Sequence, residues 1–292
     1  MLKTDYRVKN NKVYHKQSSE YTSFTQSQST TLIRLKRDLE NAIDIGFELG
    51  LAGLTVFTND LRKKLKTNQN LLCIIDQEAR ELFNDIFERL ECLVDDILKK
   101  LYRLNVSNLH ILFSPKILKL LKRIVQQQQT RNSASRCIVF VERVYTATVL
   151  SEILADLILT TEPPWNERLK VKHITGIKAL LNDKPMTAEY QLKTINEFRA
   201  GEVNILIATA VVEEGLDIPT CDLVVRFSKP NNFSSYMQSK GRARSKNQAS
   251  YVLFMDQSNP ETLERDQNEY DNYEEIEKVC HINYLYIYPH QG

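Results

Sequence analysis

The sequence predicts an α/β domain, a parallel sheet with helices on both faces, preceded by an all-α module. Three observations predict it. After residue 137, short apolar runs alternate with helical stretches. Between 31 and 125, apolar residues return every three or four positions. A polar segment at 126–136 separates the two textures. The 292 residues suffice for two modest domains, and 42% hydrophobic content supports a buried core.

Residues 1–30 are polar, with a Gln/Ser/Thr-rich stretch from Gln17 to Thr31, and read as a lead-in. Leu32, Leu35, Leu39, Ile43 and Phe47 then form one helical stripe. A longer helix is expected at about 72–103. Its stripe includes Leu82, Ile86, Leu90, Leu93, Ile97 and Leu101, and it must pack against other helices. A third helix begins with Ser114 as N-cap and Pro115 at its first position, and continues through Ile117, Leu118, Leu121, Ile124 and Val125. Residues 31–125 are therefore expected to form a helical domain, and 126–136 a linker.

Cys137–Val141 reads as a buried parallel strand, followed by a helix at about 143–159. Leu169 to Ile174 is a second strand, leading into Thr175-Gly176. A helix at about 188–200 takes Thr187 as its cap, Gly201 as its stop, and Leu192, Ile195 and Phe198 as its inner face. Ile205–Ala208 is a third strand, followed by a short helix at 211–214. Strand Leu223–Phe227, a helix near 232–239, strand Tyr251–Met255 and a helix near 260–280 complete the run. The α/β domain is expected to span 137–258, with a C-terminal helix and tail at 259–292.

The formal charge is only +2, so any nucleic-acid surface must be local. Cys73, Cys92, Cys137, Cys221 and Cys280 are widely spaced, with no CxxC pair, which argues against a zinc site and a disulfide framework. Most sit beside apolar residues, as buried thiols of a reducing compartment do. Met1 to Asn10 is polar and no apolar run approaches membrane-spanning length, so a cytoplasmic protein without a membrane partner is expected.

In a doubly wound sheet, ligands sit beyond the carboxyl ends of the strands. Three such ends are rich in polar residues and glycine. Thr209 to Pro219 carries Glu213, Glu214, Gly215 and Asp217, which suits either a ribose-facing loop or a plain turn with local hydrogen bonds. Gln238 to Lys246 packs four basic residues into seven. Arg242 and Arg244 could grip phosphate oxygens bidentately, whereas a solvated basic turn is the simpler reading of a charge cluster. Thr175-Gly176 could set a hydroxyl and a backbone N–H against a phosphodiester, or be only a turn.

Together these segments resemble a family. EFRAGEVNILIATAVVEEGLDIPTCDLVVRF (Glu197 to Phe227) and YMQSKGRARSKNQASY (Tyr236 to Tyr251) resemble motifs V and VI of superfamily 2 helicases, in the variant of the Dicer and antiviral RNA-sensing group. CIVFVERVY (Cys137 to Tyr145) resembles motif IV, and FVERVYTA at 140–147 resembles Dicer specifically. FSPKILKLL (Phe113 to Leu121) is similar to the last helix of the insert between Dicer's two RecA-like lobes.

The resemblance implies a helical insert followed by the second RecA-like lobe, the helicase C-terminal domain. It makes Arg242 and Arg244 arginine fingers toward the ATP γ-phosphate, with Gln238 near the nucleotide. Asp217, with Gly215 and Glu214, would stand by the ribose and the lobe interface. Thr175, Gly176, Thr209 and Lys240 would contact the nucleic acid. Double-stranded RNA, a first RecA-like lobe in cis and a double-stranded-RNA-binding-domain protein on the insert are the implied partners. No GxxxxGK[ST] occurs in these 292 residues, so the phosphate-cradling loop and the Mg²⁺ ligands are expected on the first lobe. The paired carboxylates of a ribonuclease III domain do not occur either. Asp76-Gln77-Glu78-Ala79 only superficially resembles a DExx box, since no P-loop precedes it. The implied parent is an ATP-dependent RNA helicase and endoribonuclease of small-RNA silencing, and this chain alone is expected to be inactive as ATPase or nuclease. Two other readings are a non-catalytic scaffold or docking module, and a fragment of a DNA-directed branch-migration helicase.

Overall fold

In a computed structural model of the chain, the apolar runs after residue 137 pair as parallel strands. The structure describes residues 37–38, 40–67, 85, 88, 89, 92, 96, 109–129, 135–159, 168–176, 180–181, 184–209, 216–244, 249–255 and 260–287. The strands are β1 (Cys137–Val141), β2 (Val171–Ile174), the two-residue β3 (Leu180–Leu181) and β4 (Lys184–Pro185), β5 (Ile205–Thr209), β6 (Leu223–Arg226) and β7 (Ser250–Leu253). The helices are α1 (residues 40–49), α2 (Leu51–Thr67), α3 (Leu109–Leu112), α4 (Pro115–Gln129), α5 (Val144–Leu159), α6 (Ala188–Ala200), α7 (Phe233–Lys240) and α8 (Pro260–Ile287). None of the described helices is long and apolar enough to cross a membrane.

The main sheet has the order β2-β5-β1-β6-β7. Its neighbouring strands run parallel, with Phe140 partnered by Ala208 on one side and Arg226 on the other. This is the doubly wound parallel sheet expected. β1 and β5 lie at its centre, and every residue of both is buried, as an apolar run covered on two faces should be. Each buried Ile, Val or Leu there contributes about 1.5–3 kcal/mol. The amino ends of the strands are tied by two polar side chains. Asn204 accepts from the Lys170 amide at 2.7 Å and donates to the Arg168 carbonyl at 2.6 Å, joining the approaches to β2 and β5. Asp222 accepts from the Arg136 amide at 2.8 Å and returns a bond from its own amide to the Arg136 carbonyl at 2.9 Å.

Helix α6 starts and stops as its sequence dictates. The Thr187 hydroxyl accepts from the Tyr190 amide, and Gly201 adopts φ +82°, a left-handed conformation that costs glycine no steric strain. Its inner face differs from expectation. Leu192 is 60% exposed, and Gln191 and Thr194 are buried beside Ile195 and Phe198. Gln191 turns inward because its amide satisfies the Thr175 carbonyl at the end of β2.

The described residues divide between two compact units. One lies within 1–119 with 182–184, and the other within 120–181 with 185–292. In the first, Ser114 precedes α4 as expected. Its hydroxyl donates to the Glu48 carbonyl at 2.7 Å and accepts weakly from the Ile117 amide at 3.4 Å. Gly50 at the end of α1 has φ +84°, and a Cβ there would come within 2.6 Å of the Ser114 amide nitrogen, so only glycine fits this close approach. The expected α1 stripe is turned around. Ala42, Ile45 and Leu49 are buried, whereas Ile43 and Phe47 are 59% and 84% exposed; Leu32, Leu35 and Leu39 lie outside the described residues. The helix expected at 72–103 also lies outside them, except at residues 85, 88, 89, 92 and 96, which are helical.

Residues 126–129, expected to open a linker, instead continue α4. Gln127 and Gln128 are buried, and the Gln128 amide exchanges hydrogen bonds with the Ser135 backbone, donating at 2.7 Å and accepting at 2.9 Å. Gln126 and Gln129 stay exposed, so this polar run presents one satisfied interior face and one solvated face.

Candidate nucleotide and nucleic-acid site

Motif VI begins on α7. Asn232 caps this helix by accepting from the Ser235 amide, and Ser239, fully buried, donates to the Ser235 carbonyl at 2.8 Å and meets the Tyr251 hydroxyl of β7 at 3.0 Å. The chain then closes into a tight turn through Gly241-to-Met237, Arg242-to-Ser239, Ala243-to-Lys240 and Arg244-to-Arg242 backbone bonds. That turn lies on the α6 side of the sheet. Leu216, Ala243 and Tyr251 pack against a core cluster holding Ile195 and Phe198 of α6.

The turn aims its two arginines differently. Arg242, half-buried, donates from Nη1 to the Ile218 carbonyl at 2.9 Å and from Nη2 to the Leu216 carbonyl at 3.5 Å. Its own carbonyl accepts from the Cys221 amide at 2.8 Å. Arg242 thus stitches motif VI to the loop of motif V. Arg244 is exposed, and its side chain makes no hydrogen bond among the described residues; its Nη2 lies 3.7 Å from where a Cβ on Gly241 would stand, so the guanidinium rests beside its own turn.

Asp217 stands between the two carbonyls held by Arg242. Its side chain is 95% exposed, and Arg199 from the last turn of α6 donates to its carbonyl at 2.9 Å and to Oδ2 at 3.2 Å. Gln238 is half-buried on α7. The structure therefore brings the Arg242 guanidinium to the loop that carries Asp217. Glu214 and Gly215, with the short helix expected at 211–214, lie outside the described residues. The guanidinium donors suit phosphate oxygens, and the Asp217 carboxylate, already bonded to Arg199, is an acceptor for a hydroxyl. Among the described residues no three His, Cys, Asp or Glu gather as a cation site.

Thr175 and Thr209 form a second group, at the carboxyl ends of β2 and β5. Each follows directly on the partnered Ile174 and Ala208, so the two threonines end adjacent strands. Both are 2% exposed, and Thr209 Oγ1 has no hydrogen-bond partner among the described residues. Gly176 is half-buried.

Lys240 is placed elsewhere. Its ammonium donates to Glu277 of α8 at 2.6 Å and to the Tyr236 hydroxyl at 3.0 Å, and lies 5.2 Å from the Tyr236 ring centre. Burial alone would lower its pKa, but the bonds to Glu277 and Tyr236 outweigh that and raise it. Lys229 similarly donates to Asp266 at 2.6 Å and Glu269 at 2.7 Å of the same helix. Between these ion pairs Phe233, Tyr236, Tyr270 and Tyr273 pack with ring centres 5.3–6.3 Å apart. The motif VI helix is thereby strapped to α8.

Two features escaped the sequence reading. Arg199 looks there like an ordinary basic residue complementing a helix C-terminus. The α7–α8 seam was signalled only by Tyr270 and Tyr273, three apart on one helix face.

A family model described as the helicase conserved C-terminal domain matches residues 116–247. The chain is 40% identical over 147 residues to endoribonuclease Dicer of Danio rerio, covering 49% of this chain and 8% of that protein. It is 40% identical over 121 residues to endoribonuclease Dicer homolog 2 of Arabidopsis thaliana, covering 41% and 8%. The chain carries a Dicer-like helicase C-terminal domain. Among solved structures, the helicase domain of Pyrococcus furiosus Hef is similar at 24% identity and a TM-score of 0.45, covering 80% of this chain and 41% of that one. Motif V begins on β5 and includes the described residues 216–219, and motif VI lies on α7 and its turn. This chain spans only 8% of the length of these Dicer relatives.

Proposed function

We propose that this domain is the second lobe of a Dicer-like helicase that moves on double-stranded RNA and completes an ATP site with a first lobe. The observation that carries the reading is the contrast within motif VI. Arg242 is spent on the carbonyls of the motif V loop, while the Arg244 side chain, resting beside Gly241 of the same turn, has its hydrogen-bond donors unspent among the described residues. A guanidinium on a hydrogen-bonded turn, with its donors unspent, can meet charge developing on a transferred phosphoryl group once it swings off Gly241.

ATP supplies the phosphoryl group whose transfer to water would drive the motion. Arg244 offers that group its paired donors, Arg242 keeps the turn and the Asp217 loop in register, and Asp217 presents a carboxylate suited to a ribose hydroxyl. Gln238, on α7 ahead of the turn, would add an amide near the nucleotide. The first lobe would hold the triphosphate and Mg²⁺. Duplex RNA would lie over the ends of β2 and β5, where Thr175, Gly176 and Thr209 could reach a phosphodiester without reading a base. Lys240 joins this surface only if its bonds to Glu277 and Tyr236 are exchanged for phosphate.

The test of the substrate is competition between duplex RNA and duplex DNA of equal length, at one fixed salt concentration, for the 292-residue chain. Preference for RNA is expected. Equal competition by DNA would overturn the RNA assignment.

A further inference from the structure

We propose that Arg199 is a positioning residue that, together with Arg242, fixes the motif V loop and so sets where the Asp217 carboxylate is presented. The step from that loop to the nucleotide rests on the function proposed above. The clamp itself does not.

Three consecutive carbonyls are gripped from two sides. Arg242 reaches Leu216 and Ile218 from motif VI, and Arg199 reaches Asp217 from α6. A single nitrogen, Arg199 Nη2, donates to two atoms of one residue, the Asp217 carbonyl and Oδ2, which ties side-chain rotation to the backbone. An exposed carboxylate without such a tie would sample its rotamers freely. Arg199 is itself steadied, because Nη1 donates to Asn196 Oδ1 at 2.8 Å, one turn earlier on α6. The helix ends two residues later at Gly201, so the arginine projects from a fixed point. Ile195 and Phe198 root the same helix in the core that Leu216 and Ala243 cover.

The simpler account of Arg199 is a basic group complementing the α6 C-terminus. The two accounts part at lysine. Arg199→Lys keeps the charge near the helix end but loses the planar guanidinium whose Nη1 is held by Asn196 while Nη2 meets Asp217.

Amide hydrogen exchange of the 292-residue chain separates them. The reporters are the Ile218 amide, bonded to the Leu216 carbonyl, and the Cys221 amide, bonded to the Arg242 carbonyl. Arg199→Lys, Arg199→Ala and Arg242→Ala should each speed exchange at both by about tenfold, with β1 and β5 unchanged and Arg244→Ala at the wild-type rate. Wild-type exchange in Arg199→Lys would assign the residue to charge alone, and faster exchange throughout the sheet would assign it to general stability; either overturns the clamp. In the protein carrying both lobes, Arg199→Lys should raise KM for ATP roughly fivefold and leave kcat within about twofold. A loss of kcat at unchanged KM contradicts the positioning role. Absence of turnover in the wild-type two-lobe protein counts against the proposed function, and the exchange rates then still decide the clamp.

Discussion

Thr175 and Thr209 stand side by side at the ends of β2 and β5, one residue beyond the partnered Ile174 and Ala208, and both are buried. The Thr209 hydroxyl has no hydrogen-bond partner among the described residues, a state that costs a folded protein about 1–3 kcal/mol unless something else compensates. A ligand oxygen is one such compensation. Thr209→Val keeps the shape and removes the hydroxyl. It should leave the chain as stable as wild type or more stable by about 1 kcal/mol in urea unfolding, while weakening duplex-RNA affinity. Wild-type RNA affinity in Thr209→Val would remove this residue from the RNA surface.

His173 on β2 supplies a pH dependence. Its Nδ1 lies 2.9 Å from Ser151 Oγ, and Ser151 already donates to the Thr148 carbonyl, so Nδ1 carries the proton and Ser151 accepts it. Nε2 faces Thr148 Oγ1 at 3.3 Å. Burial lowers the His173 pKa below its ordinary 6.5. A depressed histidine takes up its proton later in the folded chain than in the unfolded one. Its contribution is therefore fully present above pH 6.5 and is lost as pH falls through the lower, folded value. The melting temperature of wild type should drop on acidification below pH 6.5 more steeply than that of His173→Gln. Parallel curves would show that this imidazole does not control the acid limb.

The seam between α7 and α8 makes a separate acid prediction. The Lys229 ammonium, and after it the Tyr273 hydroxyl, hold the Glu269 carboxyl below its ordinary 4.5. Burial, and then the bond to Glu269, pushes the Tyr273 hydroxyl up to about 12. Glu269 therefore stabilises the docked helix above pH 4.5, and that contribution disappears as pH falls through the lowered value. Hydrogen exchange over residues 260–277 should accelerate on going from pH 5 to pH 3, after correction for intrinsic rates, and Lys229→Met should flatten the response. No pH response in wild type would make these ion pairs passive surface contacts.

How legible the molecule was depends on whether local chemistry or a distant partner decides each residue. The α6 caps, the Ser114 start of α4 and the core strands follow from local rules, because a hydroxyl cap, a left-handed glycine and an all-apolar run have few other uses. Ile43 and Phe47 misled because α1 carries a second apolar set, Ala42, Ile45 and Leu49, at the same spacing, and periodicity alone does not choose between faces. Leu192 misled because the buried place beside it goes to Gln191, recruited by a carbonyl on a strand remote in sequence. Motif VI was legible as a cationic cluster. That Lys240 serves α8 and Arg242 serves the motif V loop depends on Glu277, Leu216 and Ile218, contacts no sequence pattern announces.

The central claim is that Arg244 faces a phosphate and not the RNA. It is tested by measuring ATP turnover and duplex-RNA affinity side by side, for wild type and Arg244→Ala, in the protein that carries both lobes; the 292-residue chain alone should give background turnover. At saturating RNA, Arg244→Ala should lower kcat by about 10³-fold or more. RNA affinity should stay within a few-fold, and the slope of log affinity against log salt should stay unchanged. A large loss of RNA affinity and of salt slope, with turnover intact at saturating RNA, would contradict the account and make motif VI an RNA-binding loop.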